Sequence, residues 1–308
     1  MKKSKRVNYF KELSQALNCD ENKALDLIIE VPVDLTYFTE IKQAAINCIS
    51  VSFGSQDRLS ECQILDYLKD EKQIAKLANK TPNGLVLPKK ELDKEYNQLH
   101  RAAANWLKSL NISHLYTHIF CPNNLRLVLG KETEEMAKRN YSSSKIHVDL
   151  WTGDPGDSIQ AFIPLLGDIK RTTVEFYQPP DGFEETHLGV IKDYNQAQDI
   201  FLNCPTYPSR PKIGYATITD AIVPHKTLRL GGEARLGLEI RWRNKKEGND
   251  IDYIEKMCNY GRLNRYIPAD KWHQIGTSKM MQFKDSYADA QKSIFTQCNN
   301  DEQTYNLV

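Results

Sequence analysis

A change of hydrophobic period near residue 114 most narrows what this chain can fold into. Before it, apolar residues recur at helical spacing. Leu92, Tyr96, Leu99, Ala103 and Leu107 make one stripe within 89–110 that ends at Asn111. The same spacing predicts helix over 8–30, stopped by Pro32, and over 37–49. A third helix is expected over 60–78, where Ser60 precedes Glu61 and Gln63 as a cap. After His114 the runs become short, apolar on alternate positions, and punctuated by Gly, Pro and Asp. They cover 115–121, 125–129, 159–163, 172–177, 213–222 and 234–242. Many short strands of this kind predict an all-β sandwich or barrel. A short helix over 133–139 interrupts them, and helix is expected again over 250–260 and 286–296. With no internal repeat and no low-complexity linker, the expectation is one domain over 1–308. It divides into a mainly helical region at 1–113, a β core at 114–244, and C-terminal helices and tail at 245–308.

Charge and cysteine usage remove several function classes. Lys and Arg number 41 against 40 Asp and Glu, so no basic field favours nucleic acid or an anionic membrane. No run approaches the length of a membrane-spanning segment. The basic start at Lys2 to Arg6 is followed by charged and polar residues where a secretory leader needs an apolar run. Seven scattered cysteines with no Cys-x-x-Cys pair fit neither a disulfide framework nor a structural zinc site. The expectation is reduced thiols in a cytoplasmic protein. Pairing of two copies through the terminal helices is compatible with the sequence, which contains nothing that requires it.

The chemistry concentrates at Ile146-His-Val-Asp-Leu-Trp-Thr-Gly-Asp-Pro-Gly-Asp157. On a strand, His147 and Asp149 share one face while Ile146, Val148 and Leu150 share the other. One more imidazole from a neighbouring strand would complete the two-histidine, one-carboxylate set that holds Fe(II) with open positions. His225 can supply it, with His118 or His187 as substitutes. A lone His after Pro224 is more often a loop residue. Its weight comes from the order of features: His-x-Asp, a second His, and a strand of alternating polarity beyond it. On that strand Leu236, Leu238, Ile240 and Trp242 face one way, and Arg235, Gly237, Glu239, Arg241 and Arg243 the other. Such a polar face is either solvated or the interior of a barrel built for charged ligands.

His-x-Asp, the later His225, and Arg235 ten positions beyond it together resemble the iron(II)/2-oxoglutarate-dependent oxygenases. The stretch from Lys145 to Asp168 looks like members near the phytanoyl-CoA dioxygenase-like branch. The resemblance covers mainly 115–243. It implies an α+β chain with a double-stranded β-helix, or jelly-roll, core flanked by N- and C-terminal helices. It implies Fe(II) on His147, Asp149 and His225, with O2 and 2-oxoglutarate as co-substrates and succinate as a product. Arg235 best matches the residue that pairs with the distal carboxylate of 2-oxoglutarate; Arg241, on the same face, is the alternative, and Arg126 and Gln160 are further candidates around the co-substrate. A guanidinium suits this role because it can make two parallel bonds to a carboxylate. The family often has Ser or Thr two residues after that Arg, where this chain has Gly237. Halogenating relatives replace the carboxylate with a small residue, so Asp149 points to hydroxylation or desaturation. Trp151, Asp157 and Glu239 are candidates for the substrate side, although Asp154 and Asp157 read more simply as caps of the Gly153 to Gly156 turn.

The substrate expected is a small polar metabolite, such as a sugar or natural-product intermediate. Two rival readings keep part of these features. A cupin-like metal isomerase, or a dioxygenase independent of 2-oxoglutarate, would keep the three ligands without needing Arg235. A non-catalytic β-sandwich binding protein would need neither. The span 178–210, with two Pro-rich turns, is long enough to act as a lid.

Overall fold

A computed structural model describes residues 3–55, 57–180, 183, 188–208, 210–245, 262–287 and 304–308. The helix expected over 250–260 and all but the first two residues of the one expected over 286–296 lie outside these residues, as does His187. Among the described residues no helix is long and apolar enough to cross a membrane.

The chain is an α+β protein built on one large antiparallel sheet. Its centre is β8 (Arg235–Asn244), flanked on one edge by β4 (Ser158–Gly167). On the other edge β3 (Asn124–Val128) and β2 (Tyr116–Phe120) pair with successive halves of β8. Beyond β4 lie β6 (Tyr215–Asp220) and β1 (Ile28–Pro32); beyond β2 lies β9 (Tyr266–Pro268). A second, two-stranded sheet joins β5 (Thr172–Phe176) to β7 (His225–Arg229). It reaches the large sheet through aromatic contact, with Phe176 and Phe162 ring centroids 5.6 Å apart. β8 is buried on both faces. Leu236, Leu238, Ile240 and Trp242 pack into the apolar core, whereas Arg235, Glu239 and Arg241 are buried on the opposite face. Charged groups buried in this way must be paired or await a ligand.

α2 (Leu35–Ser52) and α5 (Asp93–Ser109) pack against each other. α3 (Glu61–Lys69) begins at the expected Ser60, where Gln63 completes a capping box, and the short α4 (Glu71–Ala75) follows it. The region before residue 114 is not wholly helical, however. α1 (Lys3–Ala16) ends early, a 3-10 turn follows at Glu21–Asp26, and Leu27 takes the left-handed conformation with φ of 58°. That stops helix propagation and releases Ile28-Ile-Glu-Val-Pro as β1, paired with β6. A short apolar run has no periodicity of its own to separate strand from helix. The described part of 245–308 likewise adds strands, β9, β10 (Met281–Phe283) and β11 (Tyr305–Leu307), where only helix was expected.

Two buried polar groups in this frame have measurable consequences. Arg6 of α1 pairs with Asp220 at the end of β6 at 2.6 Å, both side chains being 1% exposed, and also donates to the Gly156 carbonyl. Removing one partner strands a buried charge, so Asp220→Ala is expected to cost about 3–5 kcal/mol in denaturant unfolding. The double change Arg6→Met with Asp220→Leu should recover most of that loss. His100 on α5 is buried against Trp272, with its Nε2 on the Trp272 carbonyl. Burial pulls its pKa down to about 3. The folded state therefore holds a neutral imidazole that the unfolded chain protonates. This contribution is complete above about pH 6.5 and is lost as pH falls toward 3, at up to about 1.4 kcal/mol per pH unit. Equilibrium unfolding of His100→Phe across that window should show a shallower acid limb than the wild type.

Candidate metal centre

The hinge of the site is a pair of backbone bonds between residues 147 and 225. His147 N–H donates to the His225 carbonyl at 3.0 Å and His225 N–H to the His147 carbonyl at 2.9 Å, forming an isolated bridge that clamps the motif onto the start of β7. The segment does not continue as a strand. Asp149 already opens a 3-10 turn, Asp149–Thr152, closed by Gly153 at φ of 91°. Convergence of His147 and Asp149 thus comes from one extended residue followed by a turn, not from the alternation of a regular strand.

One ligand atom from each of His147, Asp149 and His225 lies within 4.8 Å of the other two, and all three residues are buried. His225 Nε2 is 3.8 Å from Asp149 Oδ2. Each imidazole is fixed by its other nitrogen: His147 Nδ1 lies 2.8 Å from the Lys145 carbonyl and His225 Nδ1 lies 3.0 Å from the Val223 carbonyl. A carbonyl only accepts, so both Nδ1 atoms carry the proton and both Nε2 lone pairs remain for a metal. Tyr194 stacks on the His147 ring at 4.4 Å and 14°. Burial, ahead of the neighbouring His225, lowers the His147 pKa to about 3 and keeps the ring neutral. Burial alone would raise the Asp149 carboxyl, but Arg241, the two imidazoles and Arg262 outweigh it and hold it well below the usual carboxylate range. Two imidazole nitrogens and an ionised carboxylate suit a divalent transition metal.

The other candidate residues divide by position. Arg235, Glu239, Arg241 and Arg126 line the same small cavity as the three ligands, of about 50 Å³. Arg241 is committed elsewhere: it contacts Asp154 and Asp149, the latter at 3.5 Å, and Glu239 at 3.4 Å. Arg126 pairs with Glu239 at 3.0 Å. Among the described residues Arg235 has no ion-pair or side-chain hydrogen-bond partner, and its Nε is buried without one. Burial pulls this guanidinium down to about 10. A Cβ at Gly237 would sit 3.4 Å from Arg235 Nη1, so the glycine lies directly beside the guanidinium.

Gln160 does not line the cavity. Its Nε2 donates to Asp149 Oδ2 at 2.7 Å, which makes it a positioning residue for the carboxylate. Partners of this kind are typically worth about 10- to 100-fold in metal affinity. Gln160→Leu is expected to weaken metal binding by that order in competition with a chromogenic chelator, with Gln160→Glu behaving differently because it adds a charge beside Asp149.

Two residues expected on the substrate side sit apart from this cavity. Trp151 is fully buried, stacked on Phe201 at 5.5 Å, and Asp157 is buried against Arg243 at 3.1 Å; neither lines the cavity. Asp154 is not a turn cap either, since its carboxylate sits between Arg241 and Arg262, the latter at 2.8 Å. His118, the substitute ligand, pairs through β2 with β8 and β9 and lies outside the cavity. Sequence reasoning missed Tyr194 and Arg262. Tyr194 lies in the polar span 178–210, whose described part packs Tyr194, Phe201 and Tyr207 into the core. Arg262 follows a stretch with no strand pattern. Neither carries a local signal, because what recruits them is a ring and a carboxylate distant in sequence.

No family model and no curated protein matches the chain. Similar solved structures include AviO1 from Streptomyces viridochromogenes, at 14% identity, covering 80% of this chain and 97% of that one, with a TM-score of 0.40. The epimerase SnoN in complex with Fe3+, alpha ketoglutarate and nogalamycin RO is 14% identical, covering 79% and 89%, with a TM-score of 0.39. An N-substituted L-amino acid dioxygenase from Burkholderia ambifaria is 12% identical, covering 78% and 91%, with a TM-score of 0.36. Likeness at this level assigns no chemistry, which rests on the residues themselves: two imidazoles and a carboxylate facing one point, and in the same cavity a buried arginine with no ion-pair partner among the described residues.

Proposed function

We propose that this protein is an iron(II)- and 2-oxoglutarate-dependent oxygenase that hydroxylates a small polar metabolite, with a single domain organised around a double-stranded β-helix. The observation that carries the reading is Arg235: a buried cation with no partner among the described residues, in one cavity with three converging metal ligands. A buried unpaired charge is costly, and a dicarboxylate bound between metal and guanidinium removes that cost. The two facing sheets, with ligands from the 147–149 turn and from β7 of the smaller sheet, support the β-helix core. β1 entering the same sheet as β8 supports a single domain.

His147 Nε2, His225 Nε2 and an Asp149 oxygen would hold the iron, leaving the remaining positions to ligands from solution. When bound, the metal supplies activation of O2, coupled to decarboxylation of the 2-oxo acid. The chain does the rest. Gln160 and Arg241 hold the Asp149 carboxylate, the Lys145 and Val223 carbonyls fix both imidazole tautomers, and Tyr194 covers the His147 ring. Arg235 would anchor the distal carboxylate and so orient the 2-oxo end toward the ligands. Phe162 and Val174 line the cavity beside them and exclude water from one wall.

The test is release of succinate from 2-oxoglutarate by purified protein with Fe(II) in air, without added substrate. Slow release that stops on omission of iron supports the oxygenase. A metal-loaded protein that leaves 2-oxoglutarate intact would favour the cupin-like isomerase or a dioxygenase without this co-substrate.

A further inference from the structure

Next to the ligand cavity lies a larger one, of about 330 Å³, and the two share Asn83, Arg126 and Arg262 in their walls. The larger cavity adds Lys80, Arg139 and Arg265, and no carboxylate is among its described lining residues. The inner charges compensate one another: Arg126, Arg241 and Arg262 are tied to Glu239, Asp149 and Asp154. Lys80 and Arg139 stand outside that network. Lys80 Nζ reaches only the Thr81 carbonyl, at 3.4 Å, and Arg139 Nη1 donates to Asn83 Oδ1 at 3.1 Å; among the described residues neither has a carboxylate at ion-pair distance. Both are partly buried in a chain whose overall charge is near balance.

Resting on the oxygenase reading, we propose that the substrate is anionic and that the outer cavity binds its carboxylate or phosphate group on Lys80 and Arg139. The carbon skeleton then extends past Asn83, Arg126 and Arg262 to the metal ligands. Two arguments support this. The volume matches a small-metabolite site lined by several cations and no carboxylate among its described residues. Burial, ahead of the nearby Arg229, lowers the Lys80 pKa to about 8, so its ammonium is held where its charge is disfavoured until an anion arrives. The cavity also lies beyond the Arg235 pocket, so its charge is distinct from that expected to hold 2-oxoglutarate.

The experiment uses full-length protein loaded with Ni(II) and saturating 2-oxoglutarate, titrated calorimetrically with inorganic phosphate and separately with acetate. Saturable binding of either anion, weakened about tenfold or more in Lys80→Met with Arg139→Gln, supports the proposal. Which anion binds tells whether the group recognised is phosphoryl or carboxylate. No saturable binding of either, or binding that the double variant leaves unchanged, overturns it. The Fe(II)/2-oxoglutarate charge-transfer band, recorded on the same proteins, separates the two levels. A normal band without anion binding sinks only the substrate class, and a missing band sinks the oxygenase reading itself. A normal band in the double variant also establishes that it is folded.

Discussion

His225→Ala is expected to abolish iron-dependent turnover and to leave less than stoichiometric iron after gel filtration, while the protein stays folded. His225 would supply Nε2 to the proposed centre, and its ring also fills space against Phe162 and Phe176, at centroid distances of 5.9 and 6.1 Å. Loss of the ring costs packing as well, about 2–4 kcal/mol by analogy with other large-to-small changes. His225→Gln keeps more of the volume and removes the imidazole, so comparing the two separates folding from chemistry. Iron content by plasma emission and unfolding midpoints by urea provide the two readouts. If both variants retained full iron, His225 would not be a ligand.

Arg235→Ala should leave iron content near wild type and raise the apparent KM for 2-oxoglutarate by about 30-fold or more. Truncating one partner of a buried, hydrogen-bonded charge pair costs about 2–5 kcal/mol, and each 1.4 kcal/mol is a factor of ten. The variant itself should fold well, because wild-type Arg235 has no partner among the described residues to lose. Arg235→Lys should recover part of the charge but not the two parallel bonds, and fall between the two. Arg241→Ala predicts a different pattern. It strips Asp149, Asp154 and Glu239 of a shared cation, so destabilisation and loss of metal should accompany any effect on the co-substrate. Steady-state kinetics with iron content measured on the same samples distinguishes the two arginines.

How much of this was legible beforehand depended on whether the information was local. Alternation along 235–243 located β8, and its polar face is buried around the ligand cavity. The order of His147, Asp149 and His225 along the chain foreshadowed their convergence, even though the strand assumed to align them is a turn. Cap chemistry placed the start of α3 at Ser60. What stayed hidden was non-local. The strand β1 is fixed by its partner β6, not by its own period. Asp154 and Asp157 sit in a sequence that reads as turn caps, and only the arginines of β8 and position 262 turn them into buried counter-ions. Gln160, a candidate around the co-substrate, donates to Asp149 at 2.7 Å, a partner that no spacing rule singles out. The outer cationic cavity joins Lys80, Arg126, Arg139 and Arg262, which no spacing rule connects.

The most direct measurement is an anaerobic titration of the Fe(II)-loaded protein with 2-oxoglutarate, followed in the visible region. A 2-oxo acid bound through two oxygens to ferrous iron gives a metal-to-ligand charge-transfer band. Wild type should develop that band to one equivalent, His225→Ala should lack it, and Arg235→Ala should reach it only at much higher 2-oxoglutarate. A folded wild-type protein that binds Fe(II) but shows no band at any concentration would contradict the account.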